Sequence, residues 1–265
     1  MMDDAALKNL EERVENTVAA HLLREKERMD EELFQARAVQ RFLLPPEIQT
    51  HPAYKIAYVY HPFDHVGGDF LDSLQRDDQT LVAMIADVSG HGVAAALTSA
   101  MLKASFLRHA AKALAPGDLL TRIDRDLRAT LRCGRFVTAL ALFIDLQHHA
   151  LTLASAGHPM PLLIRDQKIS TIQIDSSYPL FTGEDTTYPD THLGPLRPRD
   201  RLLLFTDGLI EATRSNGQTL STEDLSAAVG LCPVDGNFAH AVFESLLFSD
   251  LVFNDDVTLA AIEII

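Results

Sequence analysis

The chain has 265 residues, of which 47% are hydrophobic, and a formal net charge of −14 at pH 7. That hydrophobic share excludes wholesale disorder. The acidic balance excludes nucleic acid as the main partner, because a phosphate backbone needs a basic surface. It also makes a phosphorylated substrate difficult to hold unless a bound cation offsets the charge. The length suits one large domain or two small ones. Cys133 and Cys232 stand far apart, which reads as two buried thiols in a reducing cytosol. The acidic start at Met1 lacks a signal-peptide pattern, and no apolar run reaches membrane-spanning length. A cytoplasmic location without membrane insertion is expected.

Residues 4–44 are predicted to form one long helix, with no Gly or Pro before Pro45-Pro46. Leu22, Lys26, Met29, Leu33, Ala36, Gln40 and Leu43 alternate four-three spacings, which is a heptad seam with polar Lys26 and Gln40 inside it. Leu7, Leu10, Val14 and Val18 drift out of that frame. The stripe reads as a coiled-coil seam for a homodimer, with a solvated helix lying on its own domain as the alternative. Pro45-Pro46 then divides the chain into a helical segment, 1–44, and a domain, 45–265.

Lys55 to Tyr60 is predicted as a strand, followed by turn chemistry at Gly67-Gly68 that presents Asp69. His61 and His65 lie four apart, but Pro62 between them forbids a helical zinc pair. Leu81 to Ala86 is an apolar strand that delivers Asp87 to a turn containing Gly90 and Gly92, where the carboxylate is expected to face solvent. A helix follows from Gly92 to Leu114, and another runs from Pro116-Gly117 to about Leu131.

Phe136 to Leu146 and Ala150 to Ala156 read as a hairpin. His158, beside Gly157 and Pro159, reads as structural rather than catalytic. Short strands are expected at Pro161 to Arg165 and Ile169 to Ile174, and a loop from Ser176 to Pro198. Arg201 to Phe205 repeats the earlier pattern, an apolar strand running into Thr206-Asp207-Gly208. Ser221-Thr222-Glu223-Asp224 is a helix start of capping-box type. A helix from Asn237 to Phe248 and a last strand from Val257 to Ile264 follow, with Asp255-Asp256 at the strand entrance.

Asp69, Asp87, Asp207 and Asp255-Asp256 are therefore four acidic sites at strand ends, without a clustered Cys/His set. Carboxylate oxygens suit Mg²⁺ or Mn²⁺, and two such ions can activate a shared water and neutralise a phosphoryl group. The chain has neither a G-x-x-x-x-G-K-[ST] loop nor a G-x-S-x-G elbow.

Five ordered motifs resemble the PPM family of metal-dependent protein serine/threonine phosphatases, in its bacterial RsbU/SpoIIE form. They are Gly67-Gly68-Asp69-Phe70, Ala86-Asp87-Val88-Ser89-Gly90-His91-Gly92, Ala154-Ser155-Ala156-Gly157-His158-Pro159, Thr206-Asp207-Gly208-Leu209-Ile210-Glu211-Ala212 and Asp255-Asp256-Val257-Thr258. The helix ending Leu43-Leu44-Pro45-Pro46 also resembles the linker that precedes this domain in many members. The resemblance implies an α+β fold, a four-layer α-β-β-α sandwich with two Mn²⁺ or Mg²⁺ ions in a cleft at one end of its sheets. Carried onto this sequence, Asp87 would bridge both ions. Asp69 and the Val88 carbonyl would bind one of them, and Asp207 and Asp255 would complete the second site. Asp256 stands where the wider family often has Asn. Tyr178-Pro179-Leu180-Phe181 departs from the Gly-Leu-Pro-Leu-Gly-like stretch usual in relatives. The implied function is hydrolysis of phosphoserine or phosphothreonine by a metal-bridging water, on a phosphorylated STAS-domain anti-anti-sigma factor in a partner-switching pathway. The alternatives are an inactive pseudophosphatase scaffold and a phosphatase of a small phosphoester.

Overall fold

Strands buried along their whole length need cover on both faces, and the chain supplies it with a second sheet on one side and helices on the other. The computed structural model describes residues 4–76, 79–131, 134–182, 186–214, 216–232, 237–247 and 251–265. Helix α1 (Asp4–Leu43) leads into β1 (Ile48–His51), β2 (Tyr54–His61), β3 (Phe70–Gln75) and β4 (Thr80–Val88). Helices α2 (Val93–His109) and α3 (Pro116–Thr130) follow. Then come β5 (Val137–Asp145), β6 (Leu151–Ala156), β7 (Leu162–Arg165), β8 (Lys168–Thr171), β9 (Ser176–Ser177), β10 (Thr191–Leu193) and β11 (Arg201–Phe205). The chain ends with α4 (Asp207–Ile210), β12 (Thr213–Arg214), α5 (Thr222–Leu231), α6 (Phe238–Leu247), β13 (Leu251–Val252) and β14 (Val257–Ile264).

One sheet has the order β1-β2-β14-β11-β7-β8 and the other β10-β6-β5-β4-β3, with β9 alongside β6. The period-2 alternation of each strand divides its residues between two cores. From β4, Leu81, Ala83 and Ile85 point between the sheets, where they meet Leu202 and Leu204 of β11 and Ile262 of β14. Val82, Met84 and Ala86 point outward to Leu102 and Phe106 of α2 and Leu120 and Ile123 of α3. On the other sheet, Leu203 and Phe205 point outward to Val242 and Phe243 of α6. The result is the expected α-β-β-α order of layers.

Several expectations need correction. Strands β1 and β3 were hidden: β3 carries Asp72, which is buried and paired with Lys103 Nζ at 2.7 Å, so its polar letters mimic a turn. Helix α2 ends at His109 rather than Leu114. The segment read as a loop from Ser176 to Pro198 holds the short strands β9 and β10. Within it, Leu180 is fully buried and exchanges both backbone hydrogen bonds with Val137. Phe181 takes φ 73° there, a left-handed conformation that favours glycine. The capping box of α5 is present, with Ser221 and Asp224 bonded reciprocally. Cys232 is a free, half-buried thiol, and Cys133 lies outside the described residues.

Helix α1 combines the two readings of its stripe. Val18, Leu22 and Met29 are exposed, whereas Leu33 and Arg37 are half-buried and Gln40 is buried. The C-terminal end of the stripe packs on the chain's own domain. Gln40 is thus not a polar residue of a free seam; it contacts the Gly67 backbone.

Candidate active site

The site forms where the ends of the two sheets face each other. On one sheet, the register Phe70↔Ala86 and Asp87↔Thr138 sets Asp69, just before β3, beside Asp87 of β4, with Thr138 of β5 on the far side. On the other sheet, Phe205↔Leu259 brings Thr206 to Thr258, and the Thr258 amide donates to Thr206 Oγ1 at 2.9 Å. Both hydroxyls donate to Asp69 Oδ2, Thr206 at 2.9 Å and Thr258 at 2.7 Å. A carboxylate of one sheet is thereby fixed by two hydroxyls of the other.

The second oxygen, Asp69 Oδ1, is buried and receives no such donor. Asp87 faces Asp69 where the β3–β4 register runs out. Asp87 is only 7% exposed, so the expected solvent-facing carboxylate is in fact buried. Burial, then the charges of Asp207 and Asp255, push its carboxyl up to about 7. Burial and then Asp87 raise Asp69 well above the carboxylate range. Asp207, the first residue of α4, is raised by burial, then Glu211, then Asp255.

Asp256 plays a different part. Its Oδ1 accepts from the Phe63 amide at 2.8 Å and its Oδ2 from the Gly68 amide at 2.5 Å. It ties together the two ends of the loop that carries Asp69. Val88 is buried, and its carbonyl lies against Gly68. Ser89, next in line, is held by the Arg135 guanidinium and by reciprocal bonds with Phe136. A hollow of about 340 Å³ lined by Arg128, Arg135, Phe136 and Phe181 opens beside that loop. Gly90, at φ 81°, completes a turn that a side chain would strain.

Asp69, Asp87, Asp207, Asp255 and Asp256 lie on facing sheet ends, and the charges of Asp207, Asp255 and Asp256 all raise the Asp87 carboxyl. Among the described residues no group of three or more acid, His or Cys side chains stands close enough together to hold a metal ion as placed. The donors are all oxygens, one of them buried without a partner, and their mutual repulsion is what a hard cation would relieve. These residues fit divalent ions. Thr206, Thr258, Glu211 and Arg135 were not singled out in the sequence. A signal existed for the threonines: a fully buried hydroxyl on an apolar strand must find an acceptor.

His61 packs between Phe243 and Phe253. His158 is buried, its Nδ1 is 2.9 Å from Thr138 Oγ1, and burial holds it down at about 3. It is neutral near pH 7 and props the strand beside Asp87.

Comparison with known proteins agrees with this geometry. Residues 77–265 match the family Stage II sporulation protein E (SpoIIE). The phosphoserine phosphatase RsbU of Bacillus subtilis (strain 168) is 28% identical over 231 residues, covering 84% of this chain and 67% of RsbU. The crystal structure of the RsbU and RsbW domains of Rv1364c from Mycobacterium tuberculosis superposes with a TM-score of 0.71 at 28% identity, covering 80% of this chain and 60% of that one. The catalytic domain of the Mycobacterium tuberculosis serine/threonine phosphatase PstP, in complex with 2 manganese ions, shares the fold with a TM-score of 0.56 at 21% identity, over 80% of this chain and 99% of that one. Among the described residues no helix is long and apolar enough to cross a membrane. The chain belongs to the SpoIIE family, and it shares its fold with the phosphatase catalytic domain on which it superposes.

Proposed function

We propose that this chain hydrolyses phosphoserine or phosphothreonine on a protein, with two Mn²⁺ or Mg²⁺ ions held by Asp69, Asp87, the Val88 carbonyl, Asp207 and Asp255. The observation that carries this reading is the buried, unpartnered Asp69 Oδ1 set against Asp87, with the charges of Asp207 and Asp255 beyond. When bound, such ions acidify water and offset the charge of a transferring phosphoryl group. The chain's own residues supply the rest. Thr206 and Thr258 hold one oxygen of Asp69 and leave the other directed at Asp87. Asp256 keeps the Gly68 peptide in place. His158, neutral and buried, is a prop and carries no proton in the reaction.

The proposed substrate is a phosphorylated STAS-domain anti-anti-sigma factor in a partner-switching pathway, in keeping with the likeness to RsbU. An acidic chain gains little from the phosphate alone, so selectivity must come from surface around the cleft, including the hollow between Arg128 and Arg135. In the presence of Mn²⁺, kcat/KM on a folded phospho-STAS protein is expected to exceed that on a peptide with the same phosphoserine by roughly 10–100-fold. That range corresponds to about 1.4–2.7 kcal/mol of remote binding energy expressed in the transition state. Equal values would contradict a dedicated protein partner. Mn²⁺ binding without turnover of any phosphoester would identify a scaffold instead.

We further propose that 1–44 is a dimerisation segment joined to the catalytic domain, 45–265. The exposed residues Leu22 and Met29 continue the docked face of α1 beyond the domain and suit a second copy. Leu22→Glu places a charge on that stripe and is expected to turn a dimer into a monomer in sedimentation equilibrium. A variant that sediments like the wild type would show that the stripe is not the seam.

A further inference from the structure

We propose that Gln40 is a positioning residue through which helix α1 sets the place of Asp69 in the cleft, a role that rests on the metal-site reading above. Gln40 is the one buried side chain among those described on α1, at 8% exposure, on a helix otherwise solvated along most of its length. A buried amide must find partners for both its donor and its acceptor. Gln40 finds both on a single residue: Nε2 donates to the Gly67 carbonyl at 2.7 Å, and the Gly67 amide donates to Oε1 at 3.1 Å. This reciprocal pairing fixes the position and the plane of the Gly67 backbone. No other side chain reproduces it at this reach: Asn is shorter, Glu cannot donate when ionised, and Leu can do neither.

Gly67 lies two residues before Asp69, and little slack separates them. The Gly68 amide is bonded to Asp256, and a Cβ on Gly67 would stand 2.6 Å from both Asp256 Oδ1 and Tyr60 Oη. Beyond Gly68, the Asp69 carbonyl accepts from Ser99 Oγ of α2 at 3.0 Å, and its carboxylate is held by the two threonines. Asp69 is therefore fixed from three directions: the opposite sheet, α2, and α1 through Gly67. The first two belong to the packed sandwich. Helix α1 is the outer of the three, joined to the domain through Pro45-Pro46 and exposed over most of its described length. Loss of the Gln40 pairing leaves the loop that ends in Asp69 held on this side by Asp256 alone.

Mn²⁺ titration of the full chain tests this with two readouts, the metal-dependent rise in Tm without substrate and the phosphatase activity. Gln40→Leu removes both bonds and is expected to need roughly tenfold more Mn²⁺ in both readouts, the loss typical of a group that orients a metal ligand. Its kcat at saturating Mn²⁺ should stay near the wild-type value. Gln40→Glu keeps one of the two bonds and should titrate between Gln40→Leu and wild type, which also guards against a folding failure of the leucine variant. Arg37→Ala, one turn away on the same helix, should titrate like the wild type. A wild-type Mn²⁺ midpoint for both Gln40 variants would overturn the proposal, even if their metal-free Tm were lower, because that is the signature of a purely structural contact. If the wild-type chain itself showed no response to Mn²⁺, the metal-site reading would fail and the role of Gln40 would fall with it.

Discussion

Asp87→Asn is expected to lower turnover by roughly 10³-fold or more, because in the proposed site Asp87 would hold both cations, and losing it would cost several kcal/mol of transition-state stabilisation. The fold should survive. Asp87 is buried with Asp69 beside it, and burial with the charges of Asp207 and Asp255 pushes its carboxyl up to about 7. Replacing it with a neutral amide of the same shape removes that repulsion. Without metal, the variant should therefore melt at a higher temperature than the wild type at pH 8, by the equivalent of on the order of 2–4 kcal/mol. A loss of activity with a lower metal-free Tm would instead mean that Asp87 is a structural residue.

Metal and pH should act on stability in opposite senses. Asp69, Asp87 and Asp207 all have carboxyls raised above the ordinary value of 3.8. At these carboxylates the folded chain binds more protons than the unfolded chain, so their contribution to stability falls as pH rises, whereas His158, held down at about 3, acts in the opposite sense below its ordinary value of 6.5. The carboxylate contribution is complete below about pH 4 and is lost as pH rises through the folded values, about 7 for Asp87. For Asp87 alone this amounts to about 4 kcal/mol at most. The metal-free Tm is accordingly expected to drop between pH 6.5 and pH 8, where His158 is neutral in both states and Asp87 loses its proton. Saturating Mn²⁺ should raise Tm, and by more at pH 8 than at pH 6, because cation and proton compete for the same oxygens. A metal-dependent shift that is the same at both pH values would contradict binding at these carboxylates.

Much of this site was legible in the sequence because its chemistry lies on strand ends. An apolar run that stops at Asp87 or Asp207 and turns on a glycine leaves a clear trace in the letters. The order of layers followed from the same runs, since strands without a polar face must be covered twice. Strand β3 left no such trace, because Asp72 and Ser73 are polar and Asp72 is satisfied by Lys103, 31 residues away. Gln40 was harder still. Its partner is the backbone of Gly67, 27 residues on, and a backbone partner has no residue type to recognise. The heptad spacing of α1 placed Gln40 on the correct face of the helix, but spacing alone does not distinguish a partner chain from the chain's own domain. The threonines that hold Asp69 lie between these cases, visible as hydroxyls on buried strands but without a mark of what they bond.

The most direct test of the account is an anomalous difference map from crystals of the chain grown with Mn²⁺, recorded at the manganese absorption edge. Two peaks are expected, one between Asp69, Asp87 and the Val88 carbonyl and one between Asp87, Asp207 and Asp255. A crystal of active, Mn²⁺-dependent protein with no anomalous peak among these residues would contradict it.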